Sequence, residues 1–427
     1  MKANLKINNS TSTAFILRQI ADLKRGGFVV ILKKYKTGLK FLTKPFFTVL
    51  FLPLALIIRV IRPIVHIRFG KLITNRIGHF AFEPEMYLCE KDMKIQKQGT
   101  LDLFYRNGSV SNTFLLKMWR REITILPWLI QPLDWASRIL PYSSNHIVPL
   151  HSHKHEDAFG LLDKLPAHLK FTNEEESNGQ EQLRLLGVPA GAKFICFHAR
   201  DAAYLNQIFH TSSDYHNFRD SNVQNYLLAA KTMTEKGYFL IRIGAIVMEP
   251  LEVSDPMIID YPYRDRSEFM DIFLLANCRF FIAANSGPCA IPTIFRVPNA
   301  FINVAPFLGA HGISRTEDLF IPKKYWNVSD QRHMSLNEIF KSGSANFLRG
   351  EQYSDIGIAL IENTPEEICD LVEEMELRLN GLFKANEEDD GLHQRYEKIL
   401  AKNGCEIRKL PRIGTAFLRQ NRYLLDI

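Results

Sequence analysis

Three short polar strings each follow an apolar run of the kind that forms a buried strand. His198-Ala199-Arg200-Asp201 follows residues 193–197, Arg242 and Gly244 close the run 238–244, and Asn285-Ser286-Gly287 follows residues 279–284. Ligands of open parallel sheets bind beyond the carboxyl ends of the strands, where the chain turns into a helix. Arginine offers phosphate oxygens a planar fork of donors, and a helix start adds N–H groups and fixed positive potential. Two arginines with a Ser-Gly helix start therefore suit a pyrophosphate. The competing account of Arg200 and Arg242 is a structural ion pair with Asp201 or Asp260. A second polar knot, residues 215–220, contains His216, Asn217 and Arg219. Asp220 or Ser221 reads as the cap of the helix that follows. Capping does not explain the other three, which a loop closing over a phosphate or a sugar would use.

The elements that must carry these strings follow from local pattern. Thr172-Asn173-Glu174-Glu175 predicts a capped helix start with acids in its first turn, and Leu186-Gly187-Val188-Pro189 predicts its stop. Strands are expected at 193–197, 238–244, 257–260, 279–284 and 301–304. Helices are expected at 225–236 before Gly237, at 267–276 with Ser267 as cap, and at 365–382. Strands alternating with helices argue for a parallel sheet with right-handed crossovers. Earlier in the chain, 65–70 and 76–80 read as a strand running to a glycine turn. Residues 95–97 and 101–105 read as short strands, and 113–125 as an amphipathic helix. The tail 410–427 is compact and basic.

At 427 residues the chain exceeds one ordinary core, which implies two α/β domains. We divide it into a basic and apolar lead-in at 1–66, a first domain at 67–185, a second at 186–345 and C-terminal helices at 346–427. With 46% hydrophobic and 23% charged residues, large-scale disorder is excluded. The formal charge of +7 is concentrated: Lys24, Arg25, Lys33, Lys34, Lys36, Lys40 and Lys44 precede the apolar run 46–58. Thirteen residues rise about 20 Å as a helix, short of the roughly 30 Å hydrocarbon core. A segment lying in the interface, beside anionic headgroups on the cytoplasmic side, fits the length and the flanks. Nucleic acid is not an expected partner, because no nucleic-acid-binding motif accompanies the basic stretch. The six cysteines are scattered without a CxxC pair, as in a reducing compartment. His151, His153, His155, Glu156 and Asp157 read as a solvated linker, and Glu387-Glu388-Asp389-Asp390 as an exposed acidic loop. Neither is expected to hold a metal.

The string 197–205 followed by 216–221 resembles a family of bacterial glycosyltransferases associated with surface polysaccharides. Gly237-Tyr238, Ile241-Arg242-Ile243-Gly244, residues 270–274, Ser286-Gly287, Arg76-Ile77-Gly78-His79 and the terminal Arg412-Ile413-Gly414 with Phe417-Leu418 continue the match in order. It covers roughly residues 60–427. More distantly, His198-x-Arg200 is similar to the His-x-Arg motif of GDP-fucose-using fucosyltransferases, in which the arginine contacts the nucleotide diphosphate. The resemblance implies a GT-B fold, two Rossmann-like domains facing a central cleft, with the donor held mainly by the second. The strand-end and loop residues above, with Asp271 of the matched 270–274 string, make the expected donor side: His198, Arg200, Asp201, His216, Asn217, Arg219, Arg242, Gly244, Asp271, Asn285, Ser286 and Gly287. The resemblance also implies that neither metal nor cofactor is required, since arginines and helix dipoles can neutralise a leaving diphosphate. One departure is Asn285-Ser286-Gly287-Pro288-Cys289, which stands where a glycine-rich turn is expected.

An inverting transfer needs a base for the acceptor hydroxyl, supplied from the first domain. His79, following Gly78 at a turn, is the first choice and Glu83 the second. The expected activity is transfer of a hexosyl or deoxyhexosyl group from a nucleotide-diphosphate sugar to a glycan or lipid-linked acceptor, at the cytoplasmic face of a membrane. The alternatives are a nucleotide-sugar epimerase or hydrolase on the same scaffold, and a non-catalytic glycan-binding scaffold.

Overall fold

The computed structural model describes residues 43–106, 108–126, 129–150, 156–201, 214–310, 312, 314–406 and 410–426, with the side chains of 214–216 excepted. The chain enters through helix α1 (Thr43–Val60) and strand β1 (His66–Leu72). After them come α2 (Ile77–Asp92), β2 (Thr100–Arg106), α3 (Thr113–Glu122) and α4 (Ile130–Ile139). Strands β1 and β2 pair in parallel over their whole length, and single parallel bridges to Ile147 and Ile125 extend the sheet at its two edges.

Alternation along these strands separates two faces. Phe69 and Tyr105 pack with Ala55 and Ile58 of α1 and Ile130, Leu133 and Ala136 of α4. Leu72 and Phe104 pack the other way, with Phe80, Ala81 and Tyr87 of α2 and Trp119 of α3. Arg68 and Asp102, register partners on this second face, form a buried bidentate ion pair with both contacts at 2.7 Å. The 76–80 segment, read as a strand running to a turn, instead opens α2. Residues 95–97 form no strand: Gln96 is buried, donating to Glu90 at 2.6 Å and accepting from Arg68 at 3.4 Å.

Helix α5 (Asn173–Leu185) begins at the expected capping box of Thr172 and Glu175. The second sheet then assembles from β3 (Phe194–His198), β4 (Phe239–Arg242) after α6 (Leu227–Glu235), and β5 (Ile258–Asp260). Helix α7 (Glu268–Asn277), capped by Ser267, leads to β6 (Phe281–Ala283). The short α8 (Ala290–Ile294) leads to β7 (Asn299–Val304), followed by β8 (Leu319–Pro322). Strands β9 (Lys324–Asn327) and β10 (Arg332–His333), then β11 (Ile358–Ile361) after α9 (Leu336–Lys341) and α10 (Gly350–Ser354), make a small antiparallel sheet. Helices α11 (Pro365–Leu379) and α12 (Glu387–Lys402) precede β12 (Arg412–Ile413) and α13 (Thr415–Gln420).

The large sheet is parallel throughout, in the order β12-β8-β7-β6-β3-β4-β5. From β3 the chain adds β4 and β5 on one side, then returns to add β6, β7 and β8 on the other. The direction of strand addition therefore reverses between β3 and β6. The tail does more than pack back on the body, because β12 completes the sheet edge beside β8. The acidic string 387–390 is not a loop but the first turn of α12. There Asn386 supplies the cap and buried Asp389 pairs with Arg419 at 2.6 Å, acids being favoured at a helix N-terminus.

The two sheets share one continuous core running from Leu72 to Leu425. Helix α2 packs on α8, and α3 packs on α7 through Phe114 and Phe269, whose rings meet edge-on at 4.8 Å. Glu268 at the start of α7 accepts from the Thr113 amide at 2.7 Å. All six cysteines are free thiols.

Candidate functional site

The reversal between β3 and β6 is the topological switch point of the sheet, where neighbouring crossovers leave on opposite sides and open a crevice at the strand ends. His198 and Ala283 are register partners at the ends of these strands. The residues that follow them, Ala199-Arg200-Asp201 and Asn285-Ser286-Gly287, therefore flank the crevice.

A third element closes on it from the other half. A Cβ added to Gly78, in the first turn of α2, would lie 3.1 Å from the Gly287 Cα, and one added to Gly287 would lie 2.9 Å from Ile77 Cγ2. A side chain at either position would push the two segments apart, by a few tenths of an ångström at Gly78 and more at Gly287. His79 follows Gly78 in α2. His79 Nδ1 lies 2.7 Å from Glu83 Oε1, one helical turn along, with Glu83 buried and His79 partly exposed. Donation from Nδ1 to this carboxylate leaves Nε2 as the basic ring atom.

On the β3 side, His198 Nδ1 donates to the Ile243 carbonyl at 2.9 Å. Burial holds the imidazole below its usual pKa, against the opposing effect of that hydrogen bond. Arg200 reaches Asp220 in an ion pair. Asp220 is thus not a helix cap; that role falls to Asn222, which accepts from the Gln224 amide at 2.9 Å. Burial drives the Asp220 carboxyl up to about 6, although Arg200 and Lys323 pull it down. Lys323, just beyond β8, donates to the Asp220 carbonyl at 2.6 Å and stands 3.9 Å from Glu362. It is almost fully buried, and desolvation lowers its pKa. Glu362 in turn accepts from the Asn222 amide at 2.9 Å. Lys323 thus joins Arg200 in a cationic pair around Asp220. Nothing local to Ile321-Pro322-Lys323-Lys324 signals this, because its partners lie far away in sequence.

The remaining expected residues divide. Arg242, expected to grip phosphate, is buried and bonds Asp260 on β5 at 3.3 Å and the Glu249 carbonyl at 2.7 Å, the structural pairing weighed against that role. Asn285, expected to meet a ligand, instead ties down the chain after β7, with its amide on the Ala305 carbonyl at 3.2 Å and its oxygen on the Ala305 amide at 3.3 Å. Asp271 sits in the first turn of α7, paired with Arg266, and burial raises it to about 6. Asp201 accepts from the Met248 amide at 3.1 Å. Gly244 is buried where a Cβ would come within 2.5 Å of Val247. Ser286, partly exposed, has its hydroxyl 3.9 Å from Cys289 Sγ. Asn217 is exposed, and Arg219 lies 5.2 Å over the Phe218 ring. The His216 side chain, residues 202–205 of the matched string and residues 151–155 of the histidine tract lie outside the described residues. Asp157, the last residue of that tract segment, is buried and accepts from the Leu161 and Leu162 amides at 2.8 and 2.9 Å.

Glu85, Cys89 and His168 bring potential ligand atoms within 4.8 Å of one another. Arg296 donates to Glu85 at 2.6 Å and to the Cys89 sulfur at 3.6 Å. Its guanidinium takes the position of a cation, so the cluster reads as a tie between α2 and the end of α8.

No protein-family model matches the chain, and no curated protein matches it. Among solved structures it is similar to the E. coli ADP-heptose LPS heptosyltransferase II, with 11% identity over 74% of this chain and 100% of that one, at a TM-score of 0.40. A family 9 glycosyl transferase from Veillonella parvula gives 12% identity, coverage of 74% and 98%, and a TM-score of 0.41. The iron-containing dodecameric glycosyltransferase TibC from enterotoxigenic E. coli gives 10% identity, coverage of 56% and 58%, and a TM-score of 0.31. Likenesses this remote fix neither activity nor substrate.

Proposed function

We propose that the chain is a GT-B glycosyltransferase that moves a hexosyl or deoxyhexosyl group from a nucleotide-diphosphate sugar to a glycan or lipid-linked acceptor in surface polysaccharide synthesis. What supports this reading is the pairing of β3 with β6, which sets Arg200 and Ser286-Gly287 just beyond adjacent strand ends, and the close approach of Gly78, beside His79, to Gly287. Arg200 would hold the donor's diphosphate, with Lys323 adding a second positive charge behind it. His198, kept neutral, would hydrogen-bond the sugar or phosphate through Nε2. His79 would accept the acceptor hydroxyl's proton as that oxygen attacks the anomeric carbon. The bond from that carbon to the diphosphate oxygen breaks, and its electron pair leaves on the diphosphate. Glu83 would stabilise the imidazolium so formed. Cationic side chains suffice for the leaving group, so the reading requires no metal and no cofactor. Arg242 and Asn285 would act by fixing the strand ends. The basic, apolar lead-in would hold the enzyme at the cytoplasmic membrane face, beside its acceptor.

The test is a thermal-shift panel of GDP-, UDP- and ADP-sugars, followed by product analysis with and without a lipid-linked glycan. Binding of one nucleotide class and acceptor-dependent product are expected. Donor breakdown or isomerisation that ignores the acceptor would assign a hydrolase or epimerase, and binding of none would assign a scaffold.

A further inference from the structure

Helix α1 is anchored along one stripe and bare along the opposite one. Thr48, Ala55 and Ile58 are buried against the body. Arg59 fastens the helix to the end of α4, donating to the carbonyls of Ser137, Pro141 and Tyr142 at 2.9, 2.7 and 3.1 Å. Phe46, Val49, Leu50, Leu54, Ile57 and Val60 recur at helical spacing on the outer side, all exposed. With 18 residues, α1 is long and apolar enough to span a bilayer, yet one stripe is spent on the protein body, which suits a helix lying in the interface. The bare surface continues off the helix. Ile64 is 87% exposed, and at the end of α4, where Arg59 binds, Ile139 is 67% and Tyr142 80% exposed.

Tyr142 carries a second signal. Its backbone lies at φ 57° and ψ 31°, the left-handed region, where glycine or asparagine would be unstrained. Tyrosine has an apolar ring and a polar tip, which suits it to the boundary between acyl chains and headgroups. The charges around the patch are cationic. Lys44 lies 5.6 Å over the Trp135 ring of α4, and Arg62 follows α1. In sequence, Lys33, Lys34, Lys36 and Lys40 come just before.

We propose that α1 and the end of α4 together form a single monotopic docking surface for an anionic phospholipid bilayer, with Ile139 and Tyr142 entering the interface beside α1. The inference rests on the membrane-side placement given above and extends it from the lead-in to the body of the first half. Apolar side chains would sit at the acyl boundary and lysines among anionic headgroups.

The experiment is vesicle flotation of the full chain carrying Ile139→Ser and Tyr142→Gly, on phosphatidylcholine vesicles with and without phosphatidylglycerol. Wild-type protein should float with the phosphatidylglycerol vesicles, and the double variant about tenfold less tightly. Its melting temperature should not fall, because glycine relieves the backbone at 142. Undiminished flotation of the variant overturns the proposal. So does a wild-type dimer in lipid-free buffer that the variant converts to monomer while vesicle binding stays intact, since the face would then belong to a second copy of the chain. Flotation uses neither donor nor acceptor, so its failure leaves the transferase reading untouched, and failure of the transferase assays leaves this one untouched.

Discussion

Asp220 and Arg200 offer a test in which one substitution should raise stability and diphosphate affinity together. The Asp220 carboxyl is raised from 3.8 to about 6 chiefly by burial. Between those values the native state binds the proton and the unfolded chain does not, so stability falls as pH rises through that window. Two pKa units correspond to about 3 kcal/mol, present below the unfolded value and lost above the folded one. Asn at 220 is neutral at every pH. The Asp220→Asn variant should therefore match wild type near about pH 4 and exceed it by about 1–3 kcal/mol near about pH 8, read from urea titrations. The same change removes the carboxylate that competes with phosphate for Arg200. Affinity for the preferred nucleoside diphosphate should then rise about five- to tenfold near about pH 8, by calorimetry. Arg200→Ala should do the reverse, losing about ten- to a hundredfold in affinity, as expected for one charge-assisted contact. Diphosphate binding by Arg200→Ala equal to wild type would refute the assignment. An Asp220→Asn variant less stable than wild type at the higher pH would refute the reasoning about burial.

Other consequences follow from single features. His79→Ala should lower kcat about a hundredfold or more while donor binding persists, with Glu83→Gln intermediate; unchanged turnover of either variant would remove the pair from the mechanism. Asp102→Asn breaks the buried pair with Arg68 and should cost about 3–5 kcal/mol in urea unfolding, and a loss below about 1 kcal/mol would mean that the pair is solvated. Gly179 of α5 packs where a Cβ would lie 2.2 Å from the Phe273 ring, so Gly179→Ala should destabilise by about 1–3 kcal/mol despite alanine's better helix propensity. Gly287→Ala should separate α2 from the switch point and lower kcat without abolishing nucleotide binding, a split that kinetics and thermal shift together would reveal.

Features decided within a few residues were legible in the amino-acid order. The capping box at Thr172 and Glu175, the Ser267 cap, the glycine stop at 237 and the apolar runs of β3, β4, β6 and β7 depend on contacts one to four positions apart, or on burial of a whole run. Alternation of these runs with helices was enough to give a parallel sheet. Strands β8 to β11 were not read from the sequence, and β12, only two residues long, is defined by its neighbour β8 rather than by pattern.

Which charged residues pair with which was decided only in three dimensions. Arg200 and Arg242 look alike in sequence, yet one ends beside the crevice with Asp220 and the other is drawn to β5 by Asp260. Lys323 and Lys324 are adjacent, but Lys323 turns to Asp220 while Lys324 pairs with Glu367. The meeting of Gly78 with Gly287 joins residues more than two hundred positions apart. Hydrogen bonds and ion pairs act over a few ångströms, and chain order sets that distance only for near neighbours. For distant residues it is set by how the strands are ordered and which faces the helices cover.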